Sequence, residues 1–547
     1  MKRLLGFWPL LTLIFALAFF LRIYRVADTP HDLYVDEVAI GWNAYSILKT
    51  GRDEYGTRLP LFFRSYDDYK LPVYIYATTL SEAILGKTAF AVRFPAVLFG
   101  TLTVLVFILL VKLLTGSQKL ALLTGLLLAI SPVSLQFTRA GYEAGMAVFW
   151  TVLGVYLMLL DLENKKKTFF WGVTCLVISL YTYHFSRIVA PLLFSGILYW
   201  YRARLRQIIQ RKSARVTALF LILVTLPFIV YAVSPGGLAR ARSESFLKEI
   251  PAHIGKSLTT SLGWDIDHWL KNYLAHFSFN FLFFAGDGIG RHGVREIGEL
   301  YLWQLPFLAI GLIGTIRRRT KPNQLFLFWL LVSPVAASLA TPSPHAVRSL
   351  PMIVPLIYFT AAGIIKYISF VSRHSGKRIR QLAESESRIH LSAQVEILES
   401  SSDQTRVIFR RMGTLTITTI IAYFLLSYLH IYYVHYPNRT SPDWSGGYKE
   451  ALDFVFAHEN QYEKVALTRS LSNGYAYLYF YGQFDPSQVN ISPRPQMGFG
   501  KYEFVDVPYT LPKNTLYVAQ PTDPSSGRLI AQIKNKSGDV QFYIWEN

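Results

Sequence analysis

AFAVRFPAVLFGTLTVLVFILLVK, residues 89–112, decides the class of fold. Between Arg93 near its start and Lys112 at its end it carries no charge, and a helix crossing a bilayer core needs roughly 20 mostly apolar residues. Working outward in both directions, comparable stretches lie near 5–26, 119–137, 143–160, 168–184, 187–201, 216–233, 299–316, 323–341, 348–370 and 412–433. With 89–112 they make eleven expected membrane spans. The composition agrees: of 547 residues 52% are hydrophobic and only 16% charged, where a soluble domain carries about 25% charged residues. The mean hydropathy is +0.29. The first stretch follows Met1-Lys2-Arg3 like a signal peptide, but it is longer than a signal core and no small-residue cleavage site follows it. It is expected to stay as a helix. The single cysteine, Cys175, lies in an apolar run, which excludes an internal disulfide and a cysteine-based zinc site.

The formal charge of +20 does not point to nucleic acid, because the basic residues gather in short clusters between apolar stretches. Lys2-Arg3, Lys112 with Lys119, Lys165-Lys166-Lys167, Arg202 to Lys212, Arg317-Arg318-Arg319 with Lys321, and Lys377-Arg378 with Arg410-Arg411 fall on alternate sides of consecutive spans. Lys and Arg concentrate on the cytoplasmic side. The N-terminus is therefore expected inside, and eleven spans put the tail outside. The expected organisation is a transmembrane unit over 1–433, with outer loops about 27–88 and 234–298 and a cytoplasmic loop about 371–411, followed by a small extracytoplasmic α/β domain over 434–547. In that tail, 447–456 has the apolar spacing of a helix, while 465–467, 516–519 and 540–545 read as strands. The first outer loop holds apolar pieces too short to span, and membrane-surface amphipathic helices would suit it.

The chemistry-bearing residues converge on the outer side. Tyr34-Val35-Asp36-Glu37 follows the first span, and Tyr69-Lys70-Leu71-Pro72 closes the first loop. Arg93 stands at the mouth of the second span. Arg139 and Glu143 border the next outer turn, four apart and so on one face if that turn is helical. His184 and Arg187 occupy the following outer turn. Arg291 and His292 lie in the second outer loop, and His345 and Arg348 precede Pro351. Ionisable residues at a membrane are functional candidates by default. For the acids the plain alternative is a helix start, where carboxylates suit the dipole. For the basic residues it is snorkelling to the headgroups. Yet positive charge is biased inward, so outward Lys and Arg beside carboxylates lean toward holding an anion such as a lipid phosphate.

Val35-Asp36-Glu37, Tyr69-Lys70-Leu71-Pro72-Val73-Tyr74 and Arg93-Phe94-Pro95-Ala96 together resemble the opening of the polyprenyl-phosphate-dependent, C-type integral-membrane glycosyltransferases. Protein O-mannosyltransferases and the lipid A aminoarabinose transferase are members. Arg139 with Glu143 resembles the family's second acidic position, where Asp is more usual. Ser343 to Pro351 and Gly286-Asp287 to His292 resemble segments of bacterial members. The resemblance covers about 5–370; the tail is alike only in being an outer α/β appendage.

The resemblance implies transfer of a sugar, mannose or similar, from a polyprenyl phosphate to a hydroxyl on a protein, a lipid or an envelope glycan. The reaction would invert the anomeric carbon on the outer face of the cell membrane. It implies Asp36 as general base, Glu37 and Glu143 as acids that orient acceptor or sugar, and Lys70, Arg348, Arg291, His292 and Arg139 as the residues around the donor phosphate. The implied partners are the lipid-linked donor, the acceptor and the bilayer, not nucleic acid. No nucleotide is needed, in keeping with the absence of a phosphate-cradling Gly-rich motif. A divalent metal stays open, since Asp36, Glu143 and His292 could meet in space although no metal-ligand spacing marks them. A transporter or lipid flippase is the alternative, but such proteins keep polar residues near mid-membrane, whereas here they sit at outer helix ends.

Overall fold

The computed structural model describes residues 6–65, 68–234, 258–387, 415–470, 474–489, 498–507, 510–525 and 527–547. Each of the eleven apolar stretches carries a helix: α1 (Phe7–Ile23), α4 (Ala89–Thr115), α5 (Gln118–Ala129), α7 (Glu143–Asn164), α8 (Phe169–Leu180), α9 (Ser186–Trp200), then Lys212–Ala232, Gln304–Arg317, Lys321–Ser338, Ile353–Ser387 and Leu415–Arg439. Among the described residues, four helices are long and apolar enough to cross a membrane: Ala89–Thr115, Glu143–Asn164, Ala346–Val371 and Leu415–Arg439. Six shorter apolar helices accompany them. The first outer loop adds α2 (Val35–Thr50), the hairpin β1 (Phe63–Ser65) and β2 (Asp68–Lys70), and α3 (Pro72–Leu85). The turn after α5 adds the short α6 (Pro132–Gln136). Asp67 and the larger part of the 371–411 loop fall outside the described residues.

After Leu415–Arg439 the chain forms a five-stranded sheet in the order β4-β3-β5-β7-β6, from β3 (Lys464–Thr468), β4 (Tyr502–Val505), β5 (Thr515–Ala519), β6 (Arg528–Lys534) and β7 (Val540–Glu546). Strand β3 pairs in parallel with β4 and β5, and β7 runs antiparallel between β5 and β6. The three expected strands are β3, β5 and β7. The expected helix is Tyr448–His458.

This sheet does not stand apart from the helices. Leu452, Val455, Val465, Leu467, Tyr477 and Leu516 share one apolar core with Val38, Ile40, Trp42 and Ile75 of α2 and α3. One close approach is at Gly41, where an added Cβ would lie 2.4 Å from Phe480 and 2.9 Å from Val92. Helix α2 is therefore wedged between the helical unit and the tail, with nearly every residue from Glu37 to Ile47 buried. That corrects the expected membrane-surface helix: α2 has no outward polar face because the tail covers the side that would have needed one.

Candidate active site

The wedge fixes the N-terminus of α2. Tyr34 is its N-cap, Asp36 lies in the first turn, and the Glu37 carboxylate reaches back to accept the Tyr34 backbone N–H at 3.0 Å. So far this is the plain helix-start geometry. Neighbours then separate the two acids. Glu37 is buried; its Oε1 accepts from Arg93 Nε at 2.8 Å and from Gly141 N at 2.7 Å, and its Oε2 from Arg93 Nη2 at 3.0 Å. Arg93 spends its remaining donors on the carbonyls of Val26, Pro30 and Asp32. Glu37 thus fastens α2 to α4 and to the turn before α7, with its oxygens already occupied.

Asp36, half exposed, is free of that knot and meets Lys70 instead: Nζ donates to Oδ1 at 2.6 Å. The hairpin delivers Lys70, whose backbone is paired with Phe63. Burial alone would lower the Lys70 ammonium, but Asp36 and then Glu143 outweigh it and hold Lys70 above its ordinary value. Glu143, the first residue of α7, therefore faces the same pair.

A group of cations lies alongside. The Val73 N–H donates to Tyr181 O at 3.3 Å, tying the chain just after Lys70 to the turn that carries His184 and Arg187. Arg187, Arg348 and Lys70 all lie near enough to His184 to act on it electrostatically. His184 Nδ1 and the Nε and Nη2 of Arg187 are buried without a hydrogen-bond partner among the described residues. Arg187 stands over the rings of Phe228 and Tyr231. Arg348 donates to Thr341 O at 3.1 Å. Arg291 lies 3.7 Å over the Tyr34 ring, close enough to Asp36 to feel its charge. Gln136 holds the Arg291 carbonyl at 2.6 Å.

Two of the expected site residues have other employment. All five donors of Arg139 are taken, by the carbonyls of Leu21, Arg22, Tyr24 and Thr29 and by Tyr432 OH. None is left for a phosphate. Arg139 and Glu143 do not share a helical face either, because α6 ends at Gln136 and α7 opens only at Glu143. His292 is engaged by Asp287 at 2.6 Å. Asp287 Oδ2 also accepts Ala346 N at 2.9 Å, and the rings of His292 and His345 are 5.0 Å apart. Asp287, His292 and His345, not Asp36, Glu143 and His292, have ligand atoms close enough for one ion, all within 4.8 Å. The donor types suit a divalent cation, and His345 Nδ1 is buried without a partner. His184 and Arg187 were visible in the sequence as outward residues of a short turn. Nothing in their spacing linked them to Lys70, since that proximity comes from the Val73–Tyr181 contact.

Residues 70–231 match the family model of dolichyl-phosphate-mannose-protein mannosyltransferases. The whole chain is similar in fold to ArnT from Cupriavidus metallidurans, solved in complex with undecaprenyl phosphate, at 15% identity and a TM-score of 0.56 over 98% of this chain and 97% of that one. It is likewise similar to apo ArnT, at 14% identity and a TM-score of 0.57 with the same coverage. A weaker likeness, with a TM-score of 0.48 and 13% identity, covers 87% of this chain and 63% of an Archaeoglobus fulgidus oligosaccharyltransferase, AglB. None of the curated proteins matches the sequence.

Proposed function

We propose that the chain is a membrane glycosyltransferase of the polyprenyl-phosphate-dependent C-type class, and that it transfers a sugar, mannose or a close relative, from polyprenyl phosphate to a hydroxyl acceptor on the outer face of the cell membrane. The acceptor is a protein, a lipid or an envelope glycan. All eleven helices cross the membrane in this reading, and the tail is extracytoplasmic.

The observation that carries it is the Asp36–Lys70 contact of 2.6 Å beside Arg187 and His184, where Arg187 Nε and Nη2 and His184 Nδ1 have no hydrogen-bond partner among the described residues. A buried guanidinium with unmet donors is costly. An entering phosphate would relieve that cost by accepting from Arg187, Arg348 and Lys70. Drawing Lys70 onto the phosphate also loosens its hold on Asp36, so donor binding itself releases the base. The acceptor hydroxyl then loses its proton to an Asp36 carboxylate oxygen as its oxygen bonds to the anomeric carbon. On the opposite side the bond from that carbon to the phosphate oxygen breaks, and polyprenyl phosphate leaves with the electron pair. Preorganised cations stabilise that departing charge. Inversion follows because one displacement occurs and no sugar becomes attached to the enzyme.

In this scheme Glu37 positions α2 and does not touch substrate, Glu143 orients acceptor or sugar beside Asp36, and Arg291 closes the site over Tyr34. Arg139 braces the first loop. A divalent ion held by Asp287, His292 and His345 would add positive charge near the phosphate side, and no step depends on it.

The test is incubation of the purified protein with a panel of polyprenyl-phosphate sugars and envelope acceptors, read by mass spectrometry. Release of polyprenyl phosphate with a glycosylated acceptor is expected for one donor. Sugar-bearing lipid recovered intact throughout the panel, with donor nonetheless bound, would contradict transfer.

A further inference from the structure

A second polar cluster lies away from Asp36, in the seam between the first outer loop and the tail. His31 Nε2 stands 3.4 Å from Asp32 Oδ2 and 3.9 Å from Glu450 Oε1, and the three ligand atoms lie within 4.8 Å of one another. Asp32 is only 6% exposed. Both His31 Nε2 and Asp32 Oδ2 are buried without a hydrogen-bond partner among the described residues. They line a cavity of about 770 Å³.

Two carboxyl groups and an imidazole nitrogen facing one another, with His31 Nε2 and Asp32 Oδ2 unpartnered among the described residues, present lone pairs that a cation would satisfy. A proton shared between His31 and either acid would give contacts of about 2.7–2.9 Å, shorter than those observed. Ligands about 2.1 Å from a tetrahedral ion lie about 3.4 Å apart, and imidazole nitrogen and carboxylate oxygen are both zinc ligand types. The other cations of the cavity are largely engaged elsewhere. Lys449 pairs with Asp453 at 2.6 Å, Lys87 donates to the Tyr479 and Gly482 carbonyls, and Arg25 sits 3.8 Å from Asp28. Lys536 is the remaining competitor for the acids.

We propose that His31, Asp32 and Glu450 form a divalent-cation site of the zinc class that bridges the tail to the first outer loop, with a fourth position open to the cavity. Its place in the fold gives it a consequence. Asp32 is clamped through its carbonyl by Arg93, the same guanidinium that holds Glu37. Glu450 belongs to the tail helix Tyr448–His458. An ion joining them ties the tail to the segment that leads directly into α2 and Asp36.

The full chain in detergent, in a His292→Ala/His345→Ala background that removes the other cluster, is stripped with chelator and titrated with Zn²⁺, and with Co²⁺ as a spectroscopic probe. One equivalent of Zn²⁺ is expected, with a rise in the thermal midpoint and visible Co²⁺ absorption of low-coordinate type. Even outer partners of a metal ligand are worth 10–100-fold in affinity, so Asp32→Asn and Glu450→Gln should each weaken binding at least about tenfold and abolish the midpoint shift. Glu450 is exposed enough that its variant is expected to fold even if Asp32→Asn does not. Equal Zn²⁺ affinity in background and Glu450→Gln proteins, or no bound Zn²⁺ in the folded background protein, would overturn the site and leave Lys536 as the counter-ion.

Discussion

Asp36 and Glu37 are adjacent in sequence and opposite in environment. One is half exposed and paired with Lys70; the other is buried in four hydrogen bonds. Removing one partner of a buried ion pair strands the other charge, at about 3–5 kcal/mol. Glu37→Gln should therefore lower stability by about that amount, seen as a reduced denaturation midpoint, while the folded fraction keeps measurable turnover. Unchanged stability would show that Arg93 does not depend on Glu37. For Lys70 the prediction is on donor affinity. Lys70→Ala should weaken binding of the lipid-phosphate sugar at least about tenfold and Lys70→Arg less, since a compact ammonium and a guanidinium both reach a phosphate oxygen but with different geometry. Because the folded state raises Lys70 above its ordinary 10.5, its stabilising pairing is complete below that value and is lost only as pH rises through the higher folded value. Donor affinity measured across the neutral and mildly alkaline range should thus show no loss from Lys70. A fall near neutral pH would assign phosphate binding to another group.

At the scale of elements, α2 is the part on which the site depends, and it is held by what lies on either side. Gly41 marks the contact with the tail, since a methyl there meets the Phe480 ring and the Val92 side chain. Overpacking of this kind costs about 1–3 kcal/mol. Gly41→Ala should lower the thermal midpoint, and adding Phe480→Leu should recover part of it; no recovery would mean the strain is not at that ring. This contact was not legible in the sequence. Residues 35–50 contain apolar residues on every side, a pattern that suits a buried helix, but nothing local tells which distant segment does the burying. The strands missed in the tail have equally physical reasons. Strand β4 has only four residues, and β6 is an edge strand whose alternation is broken by Ile530 on its polar side and by register shifts at Leu529/Ala531 and Ile533/Lys534. The central strands β3 and β5, apolar on both faces, were legible for the converse reason.

For the whole molecule, composition and the spacing of basic clusters were enough to locate every helix of the eleven, because apolar length is written directly in sequence. The pairing of Lys70 with Asp36 was legible only as two outward residues of opposite charge; the place of Arg187 and His184 beside them emerges from packing between α3 and the turn after α8. Sidedness can be tested in intact cells. Lys513, in an exposed turn of the tail, replaced by Cys should react with a membrane-impermeant thiol reagent, against a low background because the native Cys175 is buried. Labelling only after lysis would invert the topology. The chemistry itself rests on Asp36. Turnover and donor affinity measured together on Asp36→Asn address it most directly, because Asn keeps the shape and removes the base. A general base contributes typically 10²–10⁴-fold, so the variant should bind polyprenyl-phosphate sugar as the parent does and transfer it at least about a hundredfold more slowly. Near-parental turnover at unchanged donor affinity would contradict Asp36 as the base.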